Sequence, residues 1–356
     1  MQTEFLRYEI PGLVARPRWW QVRCEEIIAL VDSVKKGHAH EIAVTPAGRS
    51  VRAVSYGAPQ AKPGTATWLS GAGSRNRASY KTNPEGPQVV MLVCGVHAAE
   101  AEAVAGAVNL ISLLETGRDL RGATRPELVK LIANYRLIIL PCVNMDGRAI
   151  SPDHLRGASD EDFRKASQGI WKDGSPIGYP ACKEYAPLPL ERVGHPGGYA
   201  NSEGYNIMHD CSPGDIRTPE AKGLLNLVAE EQADLILHMH SHPIGGQILG
   251  ETLMAYPLHV ERVHQYKQRI FDALSAAGLR PAPVHGYEHR TGINLTTGCC
   301  MVSGGLSPVF EQPTTADWTF DEMLETWYVT VETFLKGGIT ERFSPRDAVA
   351  KGEKNG

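Results

Sequence analysis

The sequence predicts an α/β fold, a mixed and largely parallel central sheet flanked by helices. Three observations carry this. Unbroken apolar runs at 89–94, 137–140 and 235–237 have strand length and no alternation, the pattern of strands buried on both faces. Segments of helical length separate them, and strands alternating with helices pack as a parallel sheet covered by those helices. Gly, Pro and Thr then stand where such helices must start and stop.

In chain order, residues 1–16 read as an irregular arm, and the apolar positions of 17–36 read as a helix stopped by Gly37. Residues 40–45 and 50–56 alternate around Pro46-Ala47-Gly48-Arg49 and predict a β-hairpin. The stretch 58–87, rich in Pro, Gly and Ser, reads as a loop or surface insertion. Strand 89–94 leads into a helix over 100–115 closed by Gly117, and a second buried strand covers 137–143. Residues 148–203 hold many Gly and Pro and little periodicity; so long a loop inside a compact domain is usually functional, so an active-site insertion is expected there. Thr218-Pro219-Glu220 supplies an N-cap and a first-turn proline for a helix running to about 232. A strand at 235–240, a helix at 258–277 closed by Gly278, a short strand ending at Glu311 and a last helix at 320–335 complete the set. Few boundaries look like linkers, so one domain over 1–343 is expected, with a polar tail at 344–356.

Composition excludes several classes of function. An apolar fraction of 42% with 21% charged residues is ordinary for a globular chain. The net charge of −4 argues against a nucleic-acid or acidic-membrane partner. No run approaches the ~20 apolar residues of a membrane span, and the first residues lack the apolar core of a secretory signal. Seven cysteines at irregular spacing, with no Cys-x-x-Cys, read as reduced thiols and give a cytoplasmic expectation. Oligomeric state is not legible.

Three polar clusters sit where buried strands end, which is where open α/β sheets bind ligands. They are His97-Ala98-Ala99-Glu100, Asn144-Met145-Asp146-Gly147 and His238-Met239-His240-Ser241-His242. An imidazole and a carboxylate three residues apart across a strand-to-helix turn can point to one side, and both are zinc donors. His238, His240 and His242 share a face of an extended strand, so each is open as the third ligand. A His-Glu-His set leaves the fourth zinc position for water, the arrangement of a catalytic site. Glu311, at the end of the apolar Val309-Phe310, is a carboxylate where burial is costly, which makes it the candidate general base and acid.

Together these residues resemble the zinc carboxypeptidases, the carboxypeptidase A-like metallopeptidases. The resemblance runs from Thr45-Pro46-Ala47-Gly48-Arg49 to the last helix. It is strongest at His97-Ala98-Ala99-Glu100, at Val143-Asn144-Met145-Asp146-Gly147, similar to the family's Asn-Pro-Asp-Gly, at His240-Ser241 and at Phe310-Glu311. It implies a zinc-carboxypeptidase-like fold and one Zn2+ per chain, held by His97, Glu100 and His240, with Glu311 as base. Where the family shows Gly-x-Asp-x-Asn-Arg, this chain has Gly204-Tyr205-Asn206-Ile207-Met208-His209, so Asn206 and His209 are the substrate-binding candidates. A histidine lacks the bidentate fork by which arginine grips a carboxylate. By likeness to a Trp-Arg-Lys segment, Arg164 is the candidate oxyanion arginine, with Arg156 in reserve. Asn294 and Tyr287 fall near the place of the family's mobile tyrosine. His195, His285 and His289 receive no role.

The resemblance implies a zinc hydrolase cleaving an amide bond of a peptide or modified peptide. Two alternatives stand beside it. One is an amidoacylase of the succinylglutamate desuccinylase or aspartoacylase type, releasing an acid from an N-acyl amino acid. The other is a protein that keeps the metal site without turnover.

Overall fold

A computed structural model describes residues 5–62, 64–74, 79–80, 86–212, 214–243, 247–249, 257–282, 293–315 and 317–343. The hairpin forms as expected from β1 (His38–Val44) and β2 (Ser50–Tyr56), turning at Gly48 with φ +79°. With β3 (Gln88–Cys94), β4 (Tyr135–Leu140), β7 (Leu235–His242), β8 (Gln247–Leu249) and β9 (Val309–Pro313) it makes a seven-stranded sheet in the order β1-β2-β4-β3-β7-β9-β8. The four central strands β4, β3, β7 and β9 are parallel, and the flanking pairs are antiparallel. A short β5 (Ile170–Trp171) pairs separately with β6 (Val193–His195).

The uninterrupted apolar runs are explained by burial on both faces. Val90, Leu92, Leu235 and Leu237 pack toward α1 (Cys24–Asp32), α3 (Ala101–Thr116), α8 (Pro257–Ala276) and α10 (Phe320–Thr340). Val89, Met91, Val93 and Ile236 pack toward α7 (Pro219–Glu231) and α9 (Leu295–Ser303). Gly106 of α3 lets Trp327 of α10 press against its backbone, since an added Cβ would meet the indole at 2.3 Å.

The sequence missed some elements and overextended others. The helix expected over 17–36 spans only Cys24–Asp32. Glu26 accepts from the N–H groups of Val22 and Arg23 at 2.9 and 3.0 Å, which starts the helix there, and the preceding Trp20 donates Nε1 to the Asp153 carbonyl. The 58–87 loop contains α2 (Trp68–Ser74), anchored by buried Trp68 against Tyr80. The second buried strand ends at Leu140, and α5 (Met145–Ile150) begins soon after, while α4 (Pro126–Ile132) precedes it. The 148–203 stretch holds α6 (Asp160–Gln168), whose Ser159 cap accepts from Asp162 N. Residues 344–356 lie outside the described residues.

The N-terminal arm is irregular but packed. Tyr8 N donates to Ile150 O at 2.8 Å, His195 Nε2 donates to Leu6 O at 3.1 Å, and Arg7, Arg16 and Arg23 all pair with Asp153. It therefore straps the 148–203 segment to the body. Among the described residues no helix is long and apolar enough to cross a membrane.

Candidate metal centre

The chain leaves β3 toward β4 on one side and returns to β7 on the other, so the crevice between the carboxyl ends of β3 and β7 is a topological switch point. Past β3, Gly95 turns the backbone at φ +61°, and an added Cβ would lie 2.8 Å from the Cys142 sulfur. His97 follows, and Glu100 stands at the N-cap of α3. His240 lies across the crevice in β7. The ligand atoms of the three lie within 4.8 Å of one another, an arrangement able to hold a metal ion.

Glu100 Oε1 lies 3.1 Å from His97 Nδ1, and Oε2 lies 2.9 Å from His240 Nδ1. His97 Nε2 lies 3.2 Å from Asn206 Oδ1, which also accepts the Met208 N–H at 3.1 Å. An oxygen that accepts a backbone N–H is an acceptor for the imidazole as well, so Nε2 carries the hydrogen and Nδ1 turns its lone pair toward Glu100. Two acceptors facing each other at that distance are held together by a proton or a cation. The nitrogen and oxygen donor set is the one zinc takes, so the residues fit the ion.

Electrostatics agree with a shared cationic centre. Burial works against charge on Glu100, yet His97 and His240 outweigh it and hold its carboxyl well below the usual range. Burial likewise opposes charge on His240, but Glu100 and then Glu311 raise its pKa. For His97 burial prevails over Glu100 and lowers it. Ser241 N donates to Glu100 Oε2 at 3.0 Å, and Ser241 Oγ donates to the buried Glu102 at 2.9 Å. Thr314 Oγ1 donates to the other Glu102 oxygen at 2.8 Å, and burial pushes that carboxyl up to about 7.

Glu311 sits in β9 directly beside His240 in the parallel register. It is half-buried, and its charge is felt by both His240 and Tyr199. The other two strand histidines divide: His238 is buried, faces Ser307 Oγ at 3.1 Å and is pushed down to about 3 by burial and His240, while His242 is exposed at the strand end.

The 148–203 stretch supplies a wall that sequence reasoning did not resolve. Ala98 N donates to Gly198 O at 2.8 Å, and Asn144 Nδ2 spans the carbonyls of Gly198, Tyr199 and Ala200 at 3.2, 3.3 and 3.2 Å. Tyr199 lies face to face on His97, centroids 3.6 Å apart at 12°. Its Pro-Gly-Gly context was the one local signal of a close backbone approach. Lys183, exposed on a 3₁₀ turn of the same stretch, acts on the charge of both His97 and His209. The Asn144-Met145-Asp146-Gly147 cluster has structural work instead: Asp146 accepts from Thr45 and Arg49 of the hairpin at 2.6 and 2.9 Å, and Asn144 accepts from Gly147 N at 2.8 Å.

Of the residues expected from sequence, the structure brings together His97, Glu100, His240, Glu311, Asn206 and His209. His209 has an exposed edge, but burial against the cluster, then Lys183, His97 and His240, push it down to about 3, so it is neutral at ordinary pH and no anion receptor by charge. Asn206 serves His97 first. Arg164 stands exposed on α6 with no ion pair or hydrogen bond among the described residues. Arg156 is engaged elsewhere, donating to the Trp318 carbonyl and lying over Phe320. Asn294 is the N-cap of α9, accepting from Thr297 N at 3.2 Å. Tyr287 lies outside the described residues, as do His285 and His289. His195 pins the arm through Leu6 O and accepts from Gly197 N at 3.1 Å.

The sequence profile of the zinc carboxypeptidases matches residues 34–243. No curated protein matches the chain in sequence. Among solved structures, it is similar to a metallo-carboxypeptidase from Burkholderia cenocepacia, with 14% identity over 88% of this chain and 68% of that one, at a TM-score of 0.56. A metallo-carboxypeptidase from Pseudomonas aeruginosa in complex with (2-guanidinoethylmercapto)succinic acid is 14% identical over 89% of this chain and 68% of its own, at 0.54. Bovine thrombin-activatable fibrinolysis inhibitor, in complex with tick carboxypeptidase inhibitor, is 12% identical over 91% of this chain and 99% of its own, at 0.55. At such identities the likeness speaks for the fold.

Proposed function

The chain belongs to the zinc carboxypeptidase family, and from that premise we propose that it cleaves an amide bond near the C-terminus of a peptide or modified peptide, with Glu311 as general base. The observation that carries this reading is Glu311 beside His240 in register, at the edge of the His97, Glu100 and His240 cluster. His97, Glu100 and His240 would hold the zinc, which would supply a Lewis acid for the water and the carbonyl. Glu311 takes the proton of the attacking water on a carboxylate oxygen and returns it to the departing nitrogen, so one group serves as base and then acid. The Asn206 bond fixes the His97 tautomer, and buried Glu100 balances the positive centre.

Substrate anchoring departs from a guanidinium fork. With Met208 and His209 in place of the fork, Lys183 is, among the described residues, a cation whose field reaches the cluster, and an ammonium holds an anion as a point charge without a fixed plane. That supports a loosely defined or modified terminal residue. The alternative is an amidoacylase, which releases a free acid from N-acyl amino acids and leaves peptides intact; its substrates are carboxylates too, so product analysis rather than the missing fork separates the two readings.

The test uses purified zinc-loaded protein against peptides and N-acyl amino acids in parallel. Glu311→Gln is expected to keep about one zinc and to lose roughly 10²–10⁴-fold in turnover. Turnover equal to wild type overturns Glu311 as the base.

A further inference from the structure

One guanidinium lies behind the turn that carries His97 and Glu100. Arg148, in α5, has no exposed surface. Its Nη1 donates to Ala98 O at 2.5 Å, and its Nη2 donates to Ser151 O at 2.8 Å and to Pro152 O. Its Nε is buried with no hydrogen-bond partner among the described residues. It forms no ion pair among them either: Asp153, whose charge it feels, is taken by Arg7, Arg16 and Arg23. A buried cation without a carboxylate beside it costs the fold stability, and burial, then Arg7, works against this one. Ser151 and Pro152 follow directly on α5, where a cation suits the helix dipole. Ala98 is 50 residues away and lies between the two ligands.

We propose that Arg148 is a positioning residue for the metal ligands: by holding the Ala98 carbonyl it sets the turn between His97 and Glu100 before an ion arrives. The inference rests on the zinc site of the reading above and not on its choice of substrate. Ala98 N donates to Gly198 O at 2.8 Å, and His97 O accepts from Glu100 N at 3.1 Å. Peptide units are planar, so a bond on the Ala98 N–H and another on its C=O leave little freedom to the φ and ψ between them. The planar guanidinium carries its donors in a fixed fork and joins Ala98 to Ser151 and Pro152 at once, which a point-like ammonium cannot do. Ser151 and Pro152 open the stretch that brings Gly198 and Tyr199 to the same turn, so one group ties the turn to its wall. Ligands placed in advance lose less freedom on binding.

The competing role is that Arg148 only closes the end of α5 and supports the fold. Arg148→Ala separates them because it leaves room for a guanidinium ion to enter. Zinc affinity is read by competition with a chromophoric chelator, well below the melting temperature of the metal-free variant, and ligand geometry by the visible spectrum of cobalt-loaded protein. The positioning role predicts zinc affinity lowered by about 10–100-fold, the loss that follows removal of an orienting partner, and a changed cobalt spectrum. Millimolar guanidinium should bring both back toward wild type, and ammonium at the same ionic strength should not, since it lacks the planar fork. Zinc affinity within about 3-fold of wild type in the folded variant, a loss that guanidinium leaves untouched, or equal rescue by ammonium each overturns the proposal. If the variant does not fold, hydrogen exchange on wild-type protein decides. The N–H groups of Ala98, Glu100 and Ala101, held at 2.8, 3.1 and 3.0 Å, should exchange as slowly with zinc stripped as with zinc bound, within about 3-fold. Free exchange after stripping overturns a turn set in advance. Wild-type protein that takes up no zinc is a different failure, which removes the metal reading and this proposal with it. Zinc uptake without cleavage of any amide sinks the hydrolase reading alone.

Discussion

The two histidines of the candidate metal centre are held by different means. His97 rides on a turn, and its ring is fixed by side chains from far along the chain: Asn206 on Nε2 and Tyr199 across its face. His240 rides inside a strand between two parallel neighbours, Cys94 pairing with Met239 and Glu311 with His240 itself. Its Nε2 is buried with no hydrogen-bond partner among the described residues. One arm is therefore positioned by contacts, the other by backbone register. Changes to the 148–203 stretch should reach the metal through the turn that carries His97 and Glu100, while damage to the β7 arm should also cost the sheet.

The largest expected effect removes what the arms share. Glu100→Ala should weaken zinc binding by roughly 10³-fold, as losing one ligand of a site worth ~10–16 kcal/mol implies; retained stoichiometric zinc by mass spectrometry would refute the shared-ligand picture. Next comes Gly198→Val, which drives a side chain into Ala99 N and Ser151 Oγ. It should lower zinc affinity by about 10–100-fold through the turn at 97–100, with far-UV circular dichroism showing the sheet intact; an unchanged affinity breaks the comparison. Asn206→Leu should cost about 10-fold in zinc affinity, and Asn206→Asp should restore or exceed wild type, because a carboxylate is the stronger outer partner. Equal affinities for all three would mean the outer bond does nothing.

The smallest effect probes the β7 arm by pH. Burial raises the folded-state Glu102 pKa from 4.5 to about 7. A folded value above the unfolded one means the protonated form stabilises the fold, so that contribution is full below about 4.5 and is lost as pH rises toward 7. Glu102→Gln, measured without zinc so that metal binding adds no slope of its own, should flatten the fall in Tm between about pH 5 and 8. A wild-type slope in the variant would assign the pH dependence to other buried carboxyls, such as Asp234, also near 7.

Sequence patterns reached these two arms unequally. The β7 arm was readable because a strand buried on both faces writes a continuous apolar run, and a charged or polar residue at its end then stands out. Glu311 was readable for the same reason. His97 and Glu100 were visible as types, but what holds them was not: Tyr199 is positioned by hydrogen bonds between segments about 30 to 100 residues apart, which leave no period in the sequence. Local employment also hid in plain residue types. Asn294 caps α9 and Arg156 ties down the Trp318 carbonyl, uses that an isolated Asn or Arg does not announce. The Ser159 and Asp162 pair was a capping-box signal for α6, masked by a helix that is mostly polar.

The strap at the start of the chain bears on the order in which the protein can be completed during synthesis. Arg7 reaches Ser151 and Leu6 reaches His195, separations of 144 and 189 residues. Residues 6 and 7 thus wait for partners made much later, and Glu311 follows later still. The nascent chain carries Phe5, Tyr8 and Leu13 uncovered until the wall they brace has emerged, an interval in which apolar side chains are open to wrong partners. Long-range closure of this kind is slow relative to local helix formation. The candidate metal site, drawn from residues 97 to 240, likewise cannot close before β7 has emerged.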